Sequence, residues 1–172
     1  MIMDTNNLQE VNETIEKLLN EISAFEDKQL NVIPFEGSWT AGQVAQHLIL
    51  SGSGFVRLIN GPVENTERPP GQLIEKIKGI FLDFDNKMKS PNSIVPQAIP
   101  YKKDELLSAV KDIQSGANSA IDTLDLSKTC TRLKLPSLGS LTRLEALWFI
   151  NYHTQRHIRQ LQNIRERILN AN

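Results

Sequence analysis

The chain has 172 residues, 40% of them hydrophobic and 23% charged, with 19 basic against 20 acidic side chains. That length can bury a continuous core, and the net charge of -1 removes the usual electrostatic reason to expect nucleic-acid binding. A lone cysteine, Cys130, has no intramolecular disulfide partner, and the apolar runs fall far short of the roughly 20 residues that a membrane helix needs. The N-terminal run MIMDTNNLQEVNE has neither a basic start nor an apolar stretch. No secretory signal is therefore expected, and a cytoplasmic location is.

The eight prolines divide the chain into long stretches that carry helical patterns. In the first, Leu8, Val11, Ile15, Leu18, Leu19, Ile22 and Phe25 recur by threes and fours. That spacing predicts one apolar stripe on a helix over residues 5–29. The second stretch opens with Trp39-Thr40-Ala41-Gly42-Gln43. Thr40 and Gln43 have capping-box spacing, with Trp39 placed to staple against Val44. This helix is expected to run to about residue 60, with Val44, Leu48, Phe55, Leu58 and Ile59 inward. Its Ser51-Gly52-Ser53-Gly54 segment is poor in helix propensity and implies close packing or a kink.

Leu73, Ile77, Ile80, Phe81, Phe84 and Met88 predict a third helix, and Leu106 through Leu124 a fourth. Residues 125–141, with Pro136 and Gly139, read as a surface connection in which Arg132 to Leu135 offers a weak strand. A second capping-box pair, Thr142 and Glu145, starts the last helix. It carries Leu144, Leu147, Trp148, Tyr152, Ile158, Leu161, Ile164 and Ile168 as its apolar set. The fold class is all-α: a four-helix bundle with an additional helix and long connections, residues 1–172 forming a single domain. The connections at 62–71 and 90–102 leave simple up-down order open.

Only three histidines occur, His47, His153 and His157. The last two are four residues apart, on one face of a helix, where both imidazoles can reach a single divalent ion. The pair alone is a weak signal, since an inward histidine is usually a hydrogen-bonded core residue. His47, between Val44 and Leu48, belongs on the inward side of its own helix. Three buried imidazoles without partners would cost several hydrogen bonds, which a shared cation resolves. Nearby Ser, Gln or backbone groups satisfying each ring separately are the competing account.

The run from Trp39 to Leu48 resembles the second-helix signature of the DinB-like superfamily of four-helix-bundle proteins: a Trp, a capping Thr and a later His-Leu pair. Residues 142–157, followed by Gln160, resemble that family's last-helix signature. The resemblance implies that His47, His153 and His157 bind a divalent metal, with zinc or nickel expected first among the ions that imidazole suits. It also implies a reaction of one of several kinds, because members include thiol-dependent transferases or isomerases and hydrolases. Three neutral ligands keep a divalent ion strongly Lewis acidic and leave a position for water or a thiol. The expected function is therefore metal-dependent hydrolysis or thiol transfer on a small-molecule substrate, with a low-molecular-weight thiol as one candidate. No nucleic-acid or membrane partner is expected, and a homodimer is compatible. The alternative is a non-catalytic, stress-related binding or interaction bundle whose metal is structural or absent.

No catalytic residue is assigned beyond the ligands. Gln160 and Gln43 are candidates for orienting the imidazoles, although a cap explains Gln43 better, as it explains Glu145. Arg156 and Arg159 could meet an anionic substrate, but solvated charge near a helix C-terminus is the simpler reading. Cys130 reads as a small buried thiol, and Trp39, Trp148, Tyr152 and Phe55 as core and pocket wall.

Overall fold

The computed structural model of the protein describes residues 5–171, and side chains from Leu8 onward. Residues 1–4, the start of the run read against a secretory signal, lie outside the described residues. The described residues form five α-helices: α1 (Thr5–Ser23), α2 (Ala41–Ile59), α3 (Ile74–Leu82), α4 (Lys103–Thr123) and α5 (Arg143–Asn170). The only sheet among the described residues is a two-stranded antiparallel ribbon of β1 (Val63–Glu64) and β2 (Thr129–Cys130), which pairs Val63 with Cys130.

The four long helices form a bundle in which α5 and α4 each pack against both α1 and α2. The cyclic order is therefore α1, α5, α2, α4, and the consecutive helices α1 and α2 lie on a diagonal. Simple up-down neighbour order does not hold. The short helix α3 packs along α5. One buried core takes the expected stripes, from Leu8, Val11, Ile15, Leu18, Ile22 and Phe25 on the first segment to Leu144, Leu147, Leu161, Ile164 and Ile168 on α5.

Both capping boxes are present. Thr40 accepts from the Gln43 amide while the Gln43 side chain accepts from the Thr40 amide, and Thr142 and Glu145 repeat the exchange. The helix runs unbroken through the glycines of α2, and Gly52 serves close packing, because a Cβ there would stand 2.9 Å from Ile113 Cδ1, whereas one on Gly54 would meet nothing closer than Arg57 Nη2 at 3.9 Å.

Three expectations are corrected. α1 ends at Ser23 rather than near residue 29. Beyond it the Gln29 side chain takes the Glu26 amide at 2.7 Å, and a 3-10 turn at Gln29–Asn31 replaces the last helical turn. α3 stops at Leu82, which leaves Phe84 and Met88 exposed rather than inward. The strand forms at Thr129–Cys130, not over residues 132–135, where Leu135 makes only an isolated bridge to Gly139.

Candidate metal centre

The inward face of α2 and one face of α5 bring the three histidines to a single point. His153 Nε2 lies 3.1 Å from His47 Nε2 and 3.1 Å from His157 Nε2. All three rings offer a nitrogen within 4.8 Å of the others. His47 and His153 are buried, and His157 is half-buried at the solvent edge. Aromatic rings wall the cluster, with Trp39 5.2 Å from the His47 ring and Phe81 5.1 Å from that of His153. Phe149 lies 5.8 Å from His153 and stacks on Phe55. Trp148 and Tyr152 stack on each other in the core.

The outer nitrogens fix how the rings face inward. His47 Nδ1 lies 2.8 Å from the carbonyl oxygen of Ile94, which can only accept, so the proton sits on Nδ1. His157 Nδ1 stands in the same relation to Gln160 Oε1 at 2.7 Å. In both rings Nε2 is then a bare lone pair. His153 Nε2, lying between them, carries at most a single hydrogen. At least one of the two 3.1 Å contacts therefore sets lone pair against lone pair. A shared cation removes that conflict.

A proton fills the role poorly, because burial lowers the pKa of His47, carries His153 well below its ordinary value and holds His157 at about 4. A metal ion fits the donor set. At 2.0–2.1 Å from each nitrogen, ligands stand about 2.9 Å apart at a right angle and about 3.3 Å apart at a tetrahedral one. The observed 3.1 Å falls between those separations.

Among the described residues no carboxylate or thiolate joins the three histidines as a further ligand. Cys130 is buried away from them in the β-ribbon, where desolvation raises its thiol pKa. Gln160 takes the orienting role, and Gln43 is a cap. Glu145 is a cap with a further task that its spacing did not reveal. It is fully buried and accepts from Arg68 Nη1 and Nη2 at 2.6 and 2.7 Å and from the Leu73 amide at 2.9 Å.

Arg159 is exposed, as the solvated reading expects, whereas Arg156 is half-buried. Arg159 lies over the Phe84 ring at 4.2 Å, and Arg156 donates to three backbone carbonyls. The Ile94 carbonyl and the Phe81 and Phe149 walls went unnoticed in the sequence, since no spacing rule marks a backbone acceptor from a distant turn. Two surface grooves flank the centre. One of about 580 Å³ reaches Gln160 and one of about 520 Å³ reaches Gln46 and Val95, and none of the histidines lines either.

Fold and site together define a four-helix bundle that carries three convergent histidines able to hold a metal ion. The sequence pattern of the DinB superfamily matches residues 8–161, and the chain belongs to that family. It is similar to the uncharacterized protein YuaE of Bacillus subtilis (strain 168), at 24% identity, with 88% of this chain and 93% of that protein covered. Among solved structures it resembles TT2238, a four-helix bundle protein, with a TM-score of 0.57 and 17% identity. That likeness covers 92% of this chain and 98% of the other. Among the described residues no helix is long and apolar enough to cross a membrane.

Proposed function

We propose that the protein is a metal-dependent enzyme that uses its three-histidine centre to activate water or a small thiol. The reaction would be hydrolysis, or transfer of the thiol to a small electrophilic substrate. The observation that carries this reading is the composition of the centre: three neutral nitrogens converge with no carboxylate or thiolate beside them among the described residues. A structural zinc site is ordinarily closed by four protein ligands, whereas three ligands and an open position are the catalytic arrangement. Zinc or nickel held by these imidazoles would supply Lewis acidity, which brings the pKa of water toward 7 and deprotonates a thiol.

The chain's own groups hold and shield that position. The Ile94 carbonyl and Gln160 keep the protons of His47 and His157 on the outer nitrogens, so both lone pairs stay available. The rings of Trp39, Phe81 and Phe149 exclude water from the buried side. His157 is the least buried of the three, and a small substrate would approach the centre from its side.

Metal analysis of the protein, purified under metal-replete conditions, tests the reading. Stoichiometric zinc or nickel is expected, with affinity lowered roughly a hundredfold or more in His47→Ala, His153→Ala and His157→Ala. A metal-free wild type, or a variant with undiminished affinity, defeats it. Turnover of electrophilic esters and epoxides with and without added thiols then separates hydrolysis from thiol transfer.

A further inference from the structure

Arg156 stands on α5 between two of the histidines and is not itself a ligand. Its guanidinium donates through Nη1 to the carbonyl oxygens of Phe81 at 3.1 Å and Asp83 at 2.9 Å. Through Nη2 it donates to the carbonyl of Asn86 at 2.5 Å. These carbonyls belong to the end of α3 and the turn beyond it. The last carbonyls of a helix have no partner inside the helix, and α3 has no basic residue in its own last turn. Arg156 supplies the cap from another helix.

What it caps lies against the centre. Phe81 is buried, with its ring 5.1 Å from His153 and edge-on to Phe149 at 4.7 Å. From there the chain runs to the start of α4 with only one 3-10 turn, at Asn92–Ile94. Connections of that length without further structure are uncommon and usually functional. The far part of this one returns to the site through the Ile94 carbonyl on His47. The connection thus spans from the α5 side of the histidine cluster to the α2 side, fastened by Arg156 at one end and meeting a ligand at the other.

We infer that Arg156 is a positioning residue of the centre: it latches the α3–α4 connection and the Phe81 wall across the histidines. It thereby governs how fast the centre exchanges its metal with solvent. The inference rests on the metal-centre reading above, but one of its measurements does not need the metal.

Arg156→Met keeps the apolar stem and the helix propensity and removes every donor, while Arg156→Lys keeps the charge with a single point donor. Two rates are read on each full-length variant, with thermal melting as a control for folding. The first is the stripping of zinc from the loaded protein by excess chelator. The second is trypsin cleavage of the metal-free protein after Lys87 and Lys89, both exposed on the connection.

Both rates are expected to rise about tenfold or more in Arg156→Met, because three charge-assisted contacts no longer hold the segment closed. Arg156→Lys is expected to fall between that variant and the wild type. Wild-type rates in a folded Arg156→Met overturn the proposal, as does faster cleavage with unchanged stripping, since the latch then has no hold on the centre. If Arg156→Met fails to fold, Arg156→Lys decides by the same criteria. If the wild type takes up no zinc, the metal reading fails, and the cleavage rate alone decides whether Arg156 latches the connection.

Discussion

Two hydrogen bonds decide which nitrogen of each outer imidazole faces the centre, and they differ in kind. The partner of His47 is a main-chain carbonyl, Ile94, which no side-chain substitution removes, whereas the partner of His157 is the amide of Gln160. Gln160 sits three residues after its histidine on the same helical face, so its orienting role could be read as a candidate from spacing alone. The Ile94 contact could not be, because it depends on where a loop 47 residues away passes the ring. Replacing Gln160 by Leu leaves the His157 tautomer unfixed and the ring free to turn. Metal affinity is then expected to fall about 10- to 100-fold, while Gln160→Glu, which keeps an acceptor, is expected to hold near-wild-type affinity. Competition against a chelating dye measures both, and equal affinities for Leu and Gln at this position would remove Gln160 from the site.

At the level of helices, boundaries encoded locally were legible and those set by distant groups were not. The two capping boxes announce the starts of α2 and α5, because each donor and acceptor lies within three residues of its partner. The end of α3 depends on Arg156, far along the chain, so the apolar spacing through Phe84 and Met88 points to a longer helix than forms. The β-ribbon spans only two residues per strand, too short for any alternation to mark it. The fit between α2 and α4 is likewise a property of both helices at once. Gly116 of α4 meets Val56 so closely that a Cβ there would lie 2.6 Å from Val56 Cγ1. Gly116→Ala gains about 0.5–1 kcal/mol of helix propensity but overpacks against a stiff β-branched side chain, at about 1–3 kcal/mol. A net loss of stability is therefore expected, and adding Val56→Ala should turn the Gly116→Ala step neutral or favourable. Urea unfolding of the two single variants and the double variant checks the cycle, and additive effects would show that the helices do not meet through this pair.

Across the whole molecule, the scarcity of histidine makes the centre visible in the pH dependence of folding. The chain has only three histidines, and all three belong to the cluster. Unfolded, each takes up a proton near pH 6.5, whereas in the fold burial disfavours the charged ring, and His157 titrates at about 4. Between those values the unfolded chain binds more protons than the folded one, so stability rises with pH. The contribution is complete above pH 6.5 and is lost as the pH falls toward the folded-state values. His157, neutral down to about pH 4, adds a slope of about 1.4 kcal/mol per pH unit, and the burial of His47 and His153 acts in the same direction. Against an ordinary total of about 5–15 kcal/mol, a slope of that size is large enough to measure in the metal-free protein. Carboxylates contribute little in this window, since their ordinary values lie near 4. A metal ion held by the neutral rings would, at a hundredfold excess over its dissociation constant, add about 2.7 kcal/mol and move acid unfolding to lower pH. Chemical unfolding of the metal-free protein at intervals from pH 7 to pH 5 should show the decline, and His157→Asn should reduce its slope by about 1.4 kcal/mol per pH unit. A wild-type profile that is level across this range would mean that the imidazoles accept protons in place, and the buried, neutral cluster would then be the wrong description of the centre.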